Sequence, residues 1–365
     1  MNIAIIGAGP CGIISAIEIK KNNPTYSVTL YEQNKEIGSR IKISGNGRCN
    51  FFNANISKEK YSNFSPIENI LRCKEKLFSL LDESGLSYYF DEEGRYYPTS
   101  ESSSTIIYCL EKLLIKYKVN VMTNIRVDCI GENLKILGIK YDKIIVAIGG
   151  ISYNNDKLNY NSMIHYLSLT TSSMTPSLTP VSTSSFSNKM EGKRIKTLVR
   201  LYNDSHLVKE EYGEVIFKKD GVSGIVILNM SSYLARLHLK DYSHYHFEFD
   251  LLPKMKDSLL LELIDKDKSL RNLFIKEIAD EILSRKGNIF DNIRKFKLNI
   301  RGLYEFKYSQ VTSGGVSLEC INKNLSLKNN PNIFVGGEFI DVDGECGGYN
   351  IAFALLSGIY IAKEI

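Results

Sequence analysis

Asn2-Ile3-Ala4-Ile5-Ile6-Gly7-Ala8-Gly9-Pro10-Cys11-Gly12 stands at the front of the chain. Residues 2–6 form a short apolar run that ends in glycine, the pattern of a buried parallel strand. Gly7 then permits a tight turn, Gly9 lets backbone come close to a ligand, and Gly12 lets the next helix lie against the strand. That helix starts near Pro10 and runs through Ile13, Ile14, Ala16, Ile17 and Ile19. Its first N–H groups carry partial positive charge, so Gly7 to Gly12, with Ala8, Pro10 and Cys11, would cradle the pyrophosphate of a dinucleotide.

A second strand is expected at Ser27-Val28-Thr29-Leu30-Tyr31, followed by Glu32 and Gln33. Glu32 lies 20 residues beyond Gly12, where this fold places the acceptor for ribose hydroxyls. A chance cluster of glycines would not bring strand, helix, second strand and acid into register. The far end of the chain offers a counterpart. Asn332-Ile333-Phe334-Val335-Gly336-Gly337 reads as a return strand to the same sheet, and Gly347-Gly348 opens a helix beginning at Tyr349. Paired glycines there let N–H groups of Tyr349, Asn350 and Ile351 approach a ligand, and the helix dipole favours negative charge. The two ends together nominate FAD, with Glu338 and Asp341 as acceptors for its sugar hydroxyls.

Composition fits an ordinary globular enzyme. A chain of 365 residues can form two or three domains around large cores. Lys+Arg 46 against Asp+Glu 41 leaves a net charge of +5, well mixed along the sequence. No concentrated basic stripe appears, so nucleic acid is not an expected partner. Seven cysteines without a CxxC pair suggest free thiols in a reducing, cytoplasmic setting. The apolar run Ile351–Ala362 is too short for a bilayer span, and no membrane partner is expected. Oligomeric state stays open.

Between the two ends, Ile37 to Asn50 is rich in glycine and carries Arg40 and Arg48. Such a loop can wrap N–H groups around an anion while an arginine neutralises phosphate, or it can be a plain surface loop with solvated arginines. Arg48 equally suits an anionic substrate. Helical spacing is expected over Pro66–Glu83 and Ser102–Tyr117, and strands at Val119–Val127 and Tyr141–Gly150. From about Ser172 a Ser/Thr/Pro-rich stretch reads as a domain crossing. Strand candidates follow at Ile195–Tyr202, Glu214–Phe217, Gly224–Leu228 and Tyr242–Leu252, and Lys254–Asn299 then turns helical.

The stretch Ile43-Ser44-Gly45-Asn46-Gly47-Arg48-Cys49-Asn50 resembles the SGGGRCN signature of the BaiN/YhiN-like flavoproteins, a family of FAD-dependent oxidoreductases. So do Gly213-Glu214-Val215-Ile216-Phe217 with Gly221-Val222-Ser223-Gly224, and Val311-Thr312-Ser313-Gly314-Gly315-Val316. Gly337 to Gly344 and Gly347-Gly348-Tyr349-Asn350 complete the series. The matches run in family order along essentially the whole chain. The resemblance implies an α/β fold: a Rossmann-like FAD-binding domain with a parallel sheet, a β-rich insertion and a small helical subdomain covering one side of the flavin. Boundaries at 1–175 with 304–365, 176–253 and 254–303 follow. The resemblance adds Ser44, Gly45, Gly47, Arg48, Cys49 and Asn50 to the cofactor site, Ala147, Ile148, Gly149 and Gly150 near the adenosine, and the Val127 backbone near adenine.

Three departures from the family pattern stand out. Ser152-Tyr153-Asn154-Asn155-Asp156-Lys157-Leu158-Asn159 replaces a Pro-rich, Gly-Asp-containing loop. Lys218-Lys219 stands where many members read Thr-His, and Ile225 replaces a proline. The first lies where flavin or substrate would be approached.

FAD would supply hydride transfer at its N5, and no second GxGxxG offers a dedicated domain for NAD(P)H, leaving it a transient donor. The substrate is expected to be a small organic molecule, with reduction of an activated C=C bond the leading chemistry. No general base is nominated; Arg48, Thr312 and Tyr349 are the only catalytic candidates. A Cys49–Cys346 redox pair is outweighed by two small structural thiols. His244 and His246 beside Glu248 and Asp250 read as an exposed strand face, and no metal is expected. A flavin-loaded sensor and a flavoprotein acting on nucleic acid are the alternatives.

Overall fold

The computed structural model describes residues 1–63, 67–154 and 157–365, and they form two compact units, Met1–Met174 with Val311–Ile365, and Thr175–Gln310. Pro66, Asn155 and Asp156, which figure in the sequence reading, lie outside the described residues.

The first unit is built on a five-stranded parallel sheet. Its strands are β1 (Asn2–Ile6), β2 (Ser27–Tyr31), β3 (Asn120–Met122), β4 (Lys143–Val146) and β5 (Ile333–Val335), in the spatial order β5-β4-β1-β2-β3. Apolar side chains fill both faces of β1, where Ile3, Ala4 and Ile5 are fully buried, as an all-parallel sheet requires. Two helices flank it: α1 (Pro10–Asn22) after β1, and α2 (Tyr349–Glu364) after β5. They touch through small residues. The Ser15 hydroxyl meets the Gly358 carbonyl at 3.1 Å, and a Cβ at Gly358 would come within 2.5 Å of the Cys11 carbonyl oxygen. Segments more than 300 residues apart in sequence therefore share one core. A small antiparallel sheet of Phe52–Asn53, Arg95–Pro98 and Tyr88–Phe90 completes this unit, packed by Phe51, Phe52, Phe78 and Tyr96.

The second unit is a closed antiparallel barrel. Its strands run Val181–Thr183, Gly221–Ser223, His206–Lys218, Arg194–Asn203, Tyr245–Asp250 and Phe296–Leu303 around the barrel. Val199, Leu201, Phe247, Phe249, Phe296 and Leu298 point inward, and Leu260, Ile278 and Ile282 from the flanking helices join the same apolar cluster.

Four sequence expectations change. Residues 225–228, read as a strand, begin the helix Ile225–Arg236, because Val226, Met230 and Leu234 follow its period and only the short apolar run looked extended. Lys254–Asn299, read as helical, holds helices Asp257–Lys266, Lys276–Ser284 and Ile289–Arg294 but ends in a barrel strand. There Phe296, Leu298 and Ile300 are buried while Lys297, Asn299 and Arg301 are exposed, a period of two. Of the expected Val119–Val127 strand only Asn120–Met122 pairs. The helical stretch before Glu83 is divided into Ile67–Leu71 and Lys74–Glu83.

Candidate functional site

The loop between β1 and α1 is held from three sides. Gly7 donates its N–H to the Tyr31 carbonyl at 2.8 Å, and Ala8 donates to Glu32 Oε2 at 2.9 Å. The Ala8 carbonyl in turn accepts from Gly38 at 2.8 Å. A Cβ at Gly7 would stand 2.5 Å from the Ala147 carbonyl oxygen, and one at Gly12 would stand 2.0 Å from the Gly7 carbonyl oxygen. Gly9 differs: a Cβ there would meet nothing within 4 Å. Gly9 also begins α1 without a side-chain cap, and no acid occupies the first helical turn. The open space therefore lies in front of uncapped N–H groups, which suits a diphosphate. Gly149, with φ +75°, likewise has no neighbour within 4 Å. These residues fit the nucleotide end of FAD.

Glu32 is buried, and both its oxygens already accept from the protein. Oε2 takes the Ala8 N–H, and Oε1 takes the backbone N–H and side-chain amide of Asn34 at 2.9 and 2.7 Å. It thereby fixes the glycine turn. Gln33 beside it is half-buried. Val127 gives its carbonyl to the Asn159 amide at 2.9 Å, a partner that nothing in the local sequence announced.

A polar network joins the turn after β4 to residues near β5. Glu338 Oε1 accepts the Thr312 N–H at 2.7 Å and the Ser152 hydroxyl at 3.2 Å. Arg40 reaches the Ser152 carbonyl at 2.5 Å and lies 5.9 Å from the centre of the Tyr153 ring. Burial pushes the Glu338 carboxyl above the ordinary carboxylate range, although the Arg40 charge and the Thr312 and Ser152 donors pull the other way. Arg40, Gly150, Thr312 and Glu338 thus come together. Ser152, which the sequence placed near the approach to flavin or substrate without giving it a role, links them.

Arg48 stands apart from that network. Its guanidinium lies 5.0 Å from the centre of the Tyr97 ring and 3.9 Å from Glu101 Oε2, with its side chain half exposed. Two residues on, Asn50 ties the Ser44–Asn50 loop to α2. With its amide oriented to satisfy both neighbours, it donates to the Phe52 carbonyl at 3.0 Å and accepts the Gly348 N–H at 3.2 Å. Gly348, with φ +98°, has no room for a side chain: a Cβ would lie 2.3 Å from the Phe52 carbonyl oxygen. The Gly347 carbonyl accepts from Asn53 at 2.7 Å, and the Tyr349 carbonyl from Tyr61 at 2.8 Å.

Other nominated residues act mainly within the chain. Asn350 closes the preceding loop by contacting Gly344 N, Gly344 O and Glu345 O at 2.8, 3.0 and 3.2 Å. Asp341 accepts from the Ser172 hydroxyl. Gly337 donates to Ser357 at 3.0 Å, and that hydroxyl lies 3.5 Å from Cys11 Sγ. Gly45 and Gly47, with φ +56° and +85°, bend the loop, Ser44 caps Ile41 at 2.8 Å, and Ile351 is half-buried in the first turn of α2. All seven cysteines are free. His244 pairs with Asp204 at 3.0 Å, and His246 stacks on Tyr202. Among the described residues no group of His, Cys, Asp and Glu could hold a metal ion, and no helix is long and apolar enough to cross a membrane.

Fold and site together define an FAD-dependent oxidoreductase on a Rossmann-type domain. The chain belongs to the HI0933-like family, whose "HI0933-like protein Rossmann domain" description matches residues 1–364. It is 27% identical over 401 residues to a 3-dehydro-bile acid delta(4,6)-reductase of Clostridium scindens, with 99% of this chain and 97% of that protein covered. A ribosomal RNA dihydrouridine synthase of Haemophilus influenzae is 26% identical over 408 residues, with the same coverage. Among solved structures, the 3-ketosteroid delta1-dehydrogenase of Sterolibacterium denitrificans superposes with a TM-score of 0.53 at 9% identity, covering 99% of this chain and 98% of that one. A quinol fumarate reductase of E. coli gives 0.52 at 12% identity, covering 100% and 69%. At these identities the likeness to the two structures is one of fold.

Proposed function

We propose that this protein reduces an activated carbon–carbon double bond in a small organic substrate, using bound FAD and a nicotinamide as transient electron donor. FAD supplies the hydride chemistry when bound. The observation that carries the reading is the uncapped start of α1 behind Gly9, open where a diphosphate belongs, in a chain related end to end to a delta(4,6)-reductase.

The residues of this chain would bind and orient. The first turn of α1 would hold the diphosphate, and Ala147 to Gly150 the adenosine. The start of α2 would offer its positive end to the flavin ring. Glu338 is the acceptor for ribityl hydroxyls, and Arg40 offsets negative charge beside it. The names of both relatives denote addition of hydrogen across a double bond, which favours this reaction type over dehydrogenation.

The test is anaerobic. Freshly purified protein should be yellow and release FAD on denaturation, and NADH or NADPH should bleach it. Colour should then return on adding an α,β-unsaturated ketone. Reoxidation by unmodified ribosomal RNA alone would move the substrate to a uracil base. A flavin that no donor reduces would point to a sensor and end the proposal.

A further inference from the structure

Two separate segments of the first unit meet at Thr312. Its hydroxyl oxygen accepts the N–H of Ile151 at 2.9 Å and that of Ser152 at 3.2 Å. The Thr312 N–H donates to Glu338 Oε1 at 2.7 Å. Gly150 lies directly against this pair: a Cβ there would come within 2.6 Å of both Glu338 Oε1 and Thr312 Oγ1.

A hydroxyl has one hydrogen to give and two lone pairs. Here both lone pairs go to backbone N–H groups. Thr312 is 2% exposed, so water does not compete for them. Both acceptor positions of the hydroxyl are therefore taken up inside the protein. What it holds is the Gly149-Gly150-Ile151-Ser152 turn, the segment that follows β4 at the nucleotide end of the site.

We infer that Thr312 is a positioning residue for the cofactor: its hydroxyl oxygen clamps the 149–152 turn and its N–H holds the Glu338 carboxylate, so that both meet the nucleotide already arranged. The mechanism is preorganisation, in which ordering is complete before binding and does not subtract from affinity. This rests on FAD being the bound nucleotide.

Thr312→Val tests it, because it keeps volume and the N–H to Glu338 while removing the acceptor for two buried N–H groups. Calorimetric titration of the apoprotein with FAD should show binding weakened about ten- to hundredfold, with the visible circular dichroism of bound FAD altered. Thr312→Ser should restore both. Combining Thr312→Val with Glu338→Gln should weaken binding by less than the product of the single effects, since Ser152, held by the Thr312 hydroxyl, also donates to Glu338. Should the valine variant fail to fold, Thr312→Cys, with its poor acceptor, carries the same measurement. Wild-type affinity in Thr312→Val or Thr312→Cys, or single effects that multiply, overturns the inference while leaving FAD binding intact. A wild-type protein that rejects FAD overturns both.

Discussion

Gly12 lies against the Gly7 carbonyl so closely that a methyl group on its Cα would come within 2.0 Å of that oxygen. Gly9, between them, faces open space. The two glycines therefore fail differently. Gly12→Ala must push α1 off β1, and overpacking of this kind costs about 1–3 kcal/mol, so the melting temperature of the apoprotein should fall. Gly9→Ala should leave that temperature within a degree or two yet weaken FAD binding at least about tenfold, since its methyl occupies the space of the diphosphate. Thermal melts with FAD titrations separate the cases; equal behaviour of both variants would refute the assignment.

Gly348→Ala should destabilise the start of α2. Its φ of +98° disfavours an L side chain, and the added carbon would sit 2.3 Å from the Phe52 carbonyl oxygen and 2.5 Å from the Asn50 side-chain amide. The Ser44–Asn50 loop should loosen with it, because Asn50 is the tie between them. Faster hydrogen exchange confined to those two segments is the expected result. Unchanged exchange in the loop would show that Asn50 does not couple them.

Glu83 gives a dependence on acidity. Burial alone would raise its carboxyl, but Lys116, Lys21 and Tyr117 donate to it and outweigh that, bringing it from an ordinary 4.5 to about 2. The folded value is depressed, so the stabilisation is complete above 4.5 and disappears as acidity increases toward 2. Glu83→Gln should cost about 1 kcal/mol at neutral pH, discounted for partial exposure. The gap between variant and wild type in urea denaturation should close through that acid window. A gap that persists near pH 2 would mean the effect is packing.

The thiols at the two glycine-rich motifs are expected to be inert. Burial pushes Cys11 to about 11 and Cys49 to about 12, so almost no thiolate exists at neutral pH. Alkylation of the native protein followed by mass spectrometry should leave both unmodified and label half-buried Cys346 faster. Rapid labelling of native Cys49 would revive a Cys49–Cys346 redox pair.

Local pattern carried the first 32 residues well, since strand, glycine turn, helix and acid are contiguous and each has its own period. The same holds for β5 and α2, where Ile333–Val335 and the apolar run after Tyr349 keep unambiguous character. Short apolar runs were less informative: Ile225–Leu228 suits a strand or a helix until Met230 and Leu234 are counted. The polar network was hidden for another reason. Arg40, Ser152, Thr312 and Glu338 are brought together only by the fold, and a serine in a turn or a threonine in a short strand carries no local mark of a buried partner. Arg48 has the same history in reverse, since its partner Tyr97 lies on a different sheet and draws it to an exposed face.

The contact of Ser15 with Gly358 also sets an order of events during synthesis. A ribosome delivers β1 and α1 first, yet β5, which pairs with β4, and α2, which packs on α1, follow residue 310. The barrel, continuous from 175 to 310, is free to fold while that tail is still being made. Nascent chains stalled before β5 would thus hold a finished barrel and an unpaired edge of β4, an edge of the kind that invites pairing with other chains.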